Sequence, residues 1–230
     1  MTLSLDNITI GYGTKTVASG ITATAVARQF VCLAGANGTG KSTLMKTIAR
    51  FLPTMGGTVT IGGRDTAAMS RTDMARCVAV VLTETPAAQH ITAWETVTLG
   101  RTPHTGFLGM LDSRDRMVVE RALHTAGAAH LAERSMATLS DGERQKVMIA
   151  KALAQETPLI LLDEPTAFLD FQSKVELMHT LRQLAHEQHK VVIISTHDLH
   201  IALDIADSVW ITNNKTLTTH KPPLDHATIR

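Results

Sequence analysis

The sequence predicts an α/β fold: a mostly parallel sheet covered by helices on both faces. Short, wholly apolar runs at Phe30 to Ala34, Val78 to Leu82, Leu159 to Leu162 and Val191 to Ser195 read as strands, and segments with helical periodicity lie between them. Strands buried on both faces need such continuous apolar sequence, and parallel pairing needs helical crossovers. The 230 residues, 44% hydrophobic and 19% charged, are enough for one large core and exclude intrinsic disorder.

Along the chain, residues 3 to 10 and 21 to 27 alternate as two amphipathic strands. After Phe30 to Ala34 comes glycine-rich sequence, then a helix from Lys41 whose Leu44, Met45, Ile48, Ala49 and Leu52 share a face until Pro53 to Gly57 stops it. Strands are expected at 58 to 61 and 78 to 82. From about Thr92 to Gln155 the pattern is helical, with Val118, Val119, Ala122, Leu123 and Ala126 on one face and Gly127 as a helix C-cap. A helix with Leu177, Met178, Leu181, Leu184 and Ala185 buried separates the last two apolar strands. The expected organisation is a single domain over 1–230, its core formed by 1–84 and 157–230 with 85–156 inserted as a helical subdomain.

A net charge of +1 argues against binding nucleic acid by bulk charge, and two Trp, one Tyr and five Phe offer few platforms for unpaired bases. Cys32 and Cys77 have no paired spacing, which fits a reducing compartment. The start, MTLSLDNITIGYG, lacks the basic region and apolar run of a secretory signal. No apolar stretch approaches the ~20 residues that span a bilayer. Any membrane association is therefore expected to run through a partner.

Chemistry enters at GANGTGKS, residues 35 to 42, which matches the phosphate-binding loop G-x-x-x-x-G-K-[ST] between an expected strand and an expected helix. Gly35, Gly38 and Gly40 let successive backbone N–H groups face one concavity at the positive end of a helix. Lys41 supplies a charge to the β- and γ-phosphates and Ser42 a hydroxyl for Mg²⁺, which makes Asn37, Thr39 and Thr43 phosphate-loop neighbours of the ligand. Chance gives roughly a one in a hundred probability of this pattern in a chain of such length. LILLDEP, residues 159 to 165, ends an apolar strand in two acids. In a parallel sheet Asp163 falls beside the loop, placed to hold Mg²⁺ directly or through water, while Glu164 is placed to polarise a water for attack on the γ-phosphate. LSDGERQ, residues 139 to 145, opens a helix. Ser140 and Glu143 form a capping box there, and with Gly142 the same helix end is also an anion site.

With these segments in place, nearly the whole chain resembles the ATP-binding-cassette ATPases. LSDGE is similar to that family's LSGGQ signature, Ser195 to Asp198 (STHD) to its switch-histidine motif, and AFLD at Ala167 to Asp170 to the loop whose aspartate meets the opposite subunit. The resemblance implies a RecA-like P-loop NTPase core, an amino-terminal antiparallel β subdomain and an inserted helical subdomain. It implies ATP and Mg²⁺ as ligands, Tyr12 stacked on adenine, His197 on the γ-phosphate and Glu164 activating water. It also implies a head-to-tail homodimer enclosing two ATPs, with Ser140 and Gly142 acting in trans.

LGRTPHTGFLG, residues 99 to 109, resembles the helical-subdomain segment of importer ATPases for iron chelates, haem and cobalamin. That likeness implies two transmembrane permease subunits as partners, a periplasmic or extracellular substrate-binding protein acting indirectly, and a peripheral position on the cytoplasmic face of the membrane. His90 and His104 lack metal-ligand spacing and read as surface or packing residues. Two departures stand out. Where the family has a Mg²⁺-contacting glutamine the sequence has Thr83 and Glu84, of which Glu84 could reach a metal-bound water, and Asp141 and Glu143 replace Gly and Gln of the signature. Both signature acids should turn away from a triphosphate. Two other functions fit the motifs: a cassette ATPase with a soluble partner, and an ATP-dependent dimerising scaffold with little turnover.

Overall fold

Alternation divides the amino-terminal strands into a dry and a wet face. In the computed structural model, which describes residues 1–82, 91–106, 109–213 and 215–222, β1 (Thr2–Tyr12) pairs antiparallel with β2 (Lys15–Val26). Leu3, Leu5, Ile8 and Ile10 point inward from one strand, Ala18, Ile21, Ala23 and Ala25 from the other. β4 (Gly56–Ile61) and the short β5 (Arg64–Asp65) complete an antiparallel sheet of order β2-β1-β4-β5.

A second sheet of six strands contains β3 (Gln29–Ala34), β6 (Val78–Val81), β7 (Leu159–Leu162), β8 (Val191–Thr196), β9 (Ser208–Asn213) and β10 (Thr216–His220), in the order β10-β9-β3-β8-β7-β6. All its pairings are parallel except that of β10 at the edge. The period-2 side-chain pattern explains why the strands read as unbroken apolar runs. Leu159, Leu161, Val191 and Ile193 face one core, which they share with the antiparallel sheet and with Leu44, Met45 and Ile48 of α1 (Lys41–Ile48). Ile160, Leu162, Val192 and Ile194 face the other, with α3 (Ala93–Thr98), α4 (Ser113–Thr125), α5 (Asp141–Ala154) and α6 (Phe171–Glu187). The helix that begins at Lys41 is thus held between two sheets.

Helix ends follow the chemistry of their residues. α3, α4 and α5 each begin with a capping box, at Thr92 and Glu95, Asp112 and Asp115, and Ser140 and Glu143. α4 ends as the glycine suggests: Gly127 is left-handed (φ 64°), its N–H donates to His124 O and the Ala128 N–H to Leu123 O, so two end carbonyls are satisfied. Neither α2 (Arg71–Cys77) nor the β9–β10 hairpin is anticipated by the sequence reading, and β1 and β2 run longer than expected.

Candidate active site

The parallel register brings the carboxyl ends of β3, β7 and β8 side by side, Leu162 opposite Ile194 and Ala34 opposite Thr196. The phosphate loop leaves β3 through Gly35 (φ 152°), where a Cβ would come 2.2 Å from Thr212 Oγ1 of β9. Gly38 (φ 79°) and Gly40 (φ 101°, the N-cap of α1) are also in the region that favours glycine. Asn37 and Gly38 are exposed, Ser42 is half-buried, and Lys41 and Thr43 are buried. Thr39 Oγ1 lies 2.7 Å from Thr212 Oγ1, which donates in turn to Ala34 O at 3.1 Å. This braces the loop against the sheet edge.

Lys41 Nζ donates to Gly35 O (2.7 Å) and Ala36 O (3.0 Å). Burial pushes its ammonium below the usual lysine value, partly opposed by the charges of Glu164 and Asp163. Tyr12, about half exposed at the end of β1, accepts a 3.4 Å hydrogen bond from Thr43 Oγ1, so the ring stands over the start of α1.

The acids lie across from the lysine. The Asp163 carboxylate, following β7, is buried, and its Oδ1 accepts from Ser195 Oγ at 2.6 Å. The same hydroxyl oxygen accepts the Glu164 N–H at 2.8 Å. Ser195, on β8, therefore fixes a side chain and a backbone at once. Glu164 is left-handed (φ 50°), a conformation costly to a residue with a Cβ. His197 Nδ1 is 4.0 Å from Glu164 Oε2.

Among the described residues no hydrogen bond or ion pair links Ser140 or Gly142 to this cluster. Ser140 caps α5, accepting the Glu143 N–H at 3.2 Å, and a Cβ on Gly142 would lie 3.1 Å from Phe168 O. Asp141 and Glu143 are bonded to Arg144 (2.9 Å) and Arg134 (2.8 Å). Asp170 caps α6 through the Ser173 N–H. Glu84, with Thr83 and His90, lies outside the described residues, as do 107–108 of the 99 to 109 segment. His104, exposed, makes a 2.8 Å hydrogen bond between its Nε2 and Gln155 O. Sequence reasoning gave no role to Ser195 or Thr212. Ser195 opens the STHD segment, a signal that could have found it; Thr212 has none.

A glycine-rich loop entering a helix, a buried lysine at its start and a carboxylate pair at the end of β7, two strands along the same parallel sheet, define a P-loop nucleoside triphosphatase. Residues 18–167 match the family model described as ABC transporter. The chain belongs to that family of ATP-binding cassettes, and like them it is an ATPase. It is 39% identical over 96% of its length to an uncharacterised ABC transporter ATP-binding protein of Methanocaldococcus jannaschii, covering 76% of that protein. It is 36% identical over 97% of its length to the achromobactin transport ATP-binding protein of Dickeya dadantii, covering 84% of it. With the iron(3+)-hydroxamate import ATP-binding protein of Bacillus subtilis it shares 38% identity over 87% of its length and 74% of the relative's. Among solved structures, an inward-facing metal-chelate type ABC transporter superposes with a TM-score of 0.83 at 26% identity, over 96% of this chain and 83% of that one.

Proposed function

We propose that the chain binds and hydrolyses ATP to energise an importer of the iron-siderophore, haem or cobalamin type. The observation that carries the catalytic part is the meeting of Lys41, Asp163, Glu164 and His197 at three adjacent strand ends, with one hydroxyl, that of Ser195, joining Asp163 to Glu164. The importer part is supported by relatives named for achromobactin transport and iron(3+)-hydroxamate import. It also fits a chain in which no helix among the described residues is long and apolar enough to cross a membrane, so that permease subunits supply the spanning part.

In this reading the loop amides of residues 35 to 43 wrap the phosphates and Tyr12 stacks on the base. Lys41 exchanges its loop carbonyls for β- and γ-phosphate oxygens. Asp163 and Ser42 are hard oxygen ligands, and their chemistry suits Mg²⁺, which would neutralise phosphate charge. Glu84 is a further candidate ligand. Glu164 takes the proton of the attacking water, and His197 holds the γ-phosphate. A second copy, head to tail, presents Ser140 and Gly142 at the amino end of α5. Loss of the bridging phosphate then opens the pair, a rigid-body motion that the permease receives at the cytoplasmic membrane face. The test is phosphate release with Glu164→Gln and Lys41→Ala. The first variant is expected to abolish turnover and accumulate as an ATP-bound dimer, the second to weaken ATP binding. Normal hydrolysis by Glu164→Gln removes that residue from the mechanism.

A further inference from the structure

We propose that Lys174 is a positioning residue for hydrolysis, acting through Asp198 to hold His197 against Glu164. The proposal rests on the catalytic reading above. Asp198 occupies the N-cap position of α7 (Leu199–Ile205), yet its side chain makes no capping hydrogen bond, the usual role of aspartate there. Its carboxylate is committed elsewhere. Oδ2 accepts from Lys174 Nζ at 2.9 Å, and Oδ1 lies 3.9 Å from His197 Nε2. On the other side of the ring, Nδ1 is 4.0 Å from Glu164 Oε2. The imidazole therefore stands between two carboxylates, each beyond hydrogen-bond length, and the outer one is tethered by the lysine.

The pair is placed to matter. The side chains of Lys174 and Asp198 are 19% and 28% exposed, so the contact is sheltered from water more than an ordinary surface pair. Lys174 also lies one turn into α6, its N–H donating to Asp170 O at 2.9 Å. One ion pair thus ties the start of α6, which Asp170 caps, to the loop that carries His197. Without the ammonium, Asp198 is free to turn onto the imidazole, and that movement draws His197 out of line with Glu164. The phosphate loop contributes nothing to this linkage. His197 is one γ-phosphate contact among the many that the loop amides, Lys41 and Tyr12 are proposed to supply, so the defect should fall mainly on turnover and change ATP binding little.

Phosphate release by the purified full-length chain, measured across ATP concentrations at saturating Mg²⁺, tests this. Lys174→Met should lower kcat about tenfold with KM within about twofold, a loss typical of one coupled contact. Lys174→Arg, which keeps the cation, should recover most of it. Asp198→Asn should lose a similar amount, and the double variant with Lys174→Met no more than the worse single. If Lys174→Met fails to fold by circular dichroism, Lys174→Gln replaces it. Unchanged kcat, a loss appearing in KM, no recovery with arginine, or additive losses would each overturn the proposal. Hydrolysis by the unmodified chain that is lost in Glu164→Gln keeps the parent reading intact whichever way Lys174 behaves.

Discussion

Arg101 and Lys41 are both buried cations, and their surroundings differ in one respect. Arg101, in the helical region, donates to the carboxylates of Asp115 (2.9 Å) and Glu156 (3.0 Å) and to the Ala154 carbonyl. Burial alone would raise the Asp115 carboxyl, but the bonds from Arg101 and the Asp112 N–H outweigh it and hold it below the usual carboxylate value. Lys41 instead donates to the neutral carbonyls of Gly35 and Ala36, and the Asp163 carboxylate nearby accepts from the neutral hydroxyl of Ser195. A guanidinium neutralised by acids holds a fold together and has little left for a ligand. An ammonium satisfied by carbonyls keeps its charge available to phosphate.

The strongest way to break that comparison is Arg101→Met. Stranding Asp115 should cost about 3–5 kcal/mol in denaturant unfolding, while ATP affinity per folded molecule stays the same. A loss below about 1 kcal/mol would show that the cluster is not holding the fold. At the other site Ser195→Ala should act on rate first, lowering kcat about 10–100-fold as supporting hydrogen bonds at metal sites do. A variant with full kcat would mean that Asp163 and Glu164 need no hydroxyl.

A third cluster sharpens the contrast at smaller amplitude. Burial would raise the Asp207 carboxyl, yet the bonds from His186 (2.7 Å), the Phe30 N–H (2.8 Å) and Arg182 (3.1 Å) together hold it low. A depressed carboxyl stabilises the fold above its unfolded value, and that stability is lost as pH falls through the folded one. Unfolding midpoints should therefore drop below about pH 4, and Asp207→Asn should flatten the drop by on the order of 1 kcal/mol or less. An identical acid limb in both proteins would contradict the assignment.

Much of the site is legible in sequence because each piece is contiguous. Gly35 to Ser42 is one loop at the end of one strand, Asp163 and Glu164 end one apolar run, and Ser140 and Glu143 cap their own helix. Unbroken apolar runs likewise marked the parallel strands, since every side chain of β7 is buried whichever core it faces. Contacts between distant segments are not written that way. The Ser195–Asp163 bond joins residues 32 apart and the Thr39–Thr212 bond residues 173 apart, and only strand order and register bring them together. The β9–β10 hairpin carries Ser208, Thr212, Thr216 and Thr218 among its apolar residues, which blurs the apolar signal of an edge strand.

The backbone turn at Glu164 has a further meaning. At φ 50° a glycine would sit there without strain, so the chain gives up on the order of 1 kcal/mol to keep a carboxylate at that bend. In the proposed mechanism durability and turnover are opposed at this position: the glycine that would relax this bend also removes the group proposed to activate water. Screens that select for heat resistance alone should drift toward glycine here and return a sturdier, inert protein.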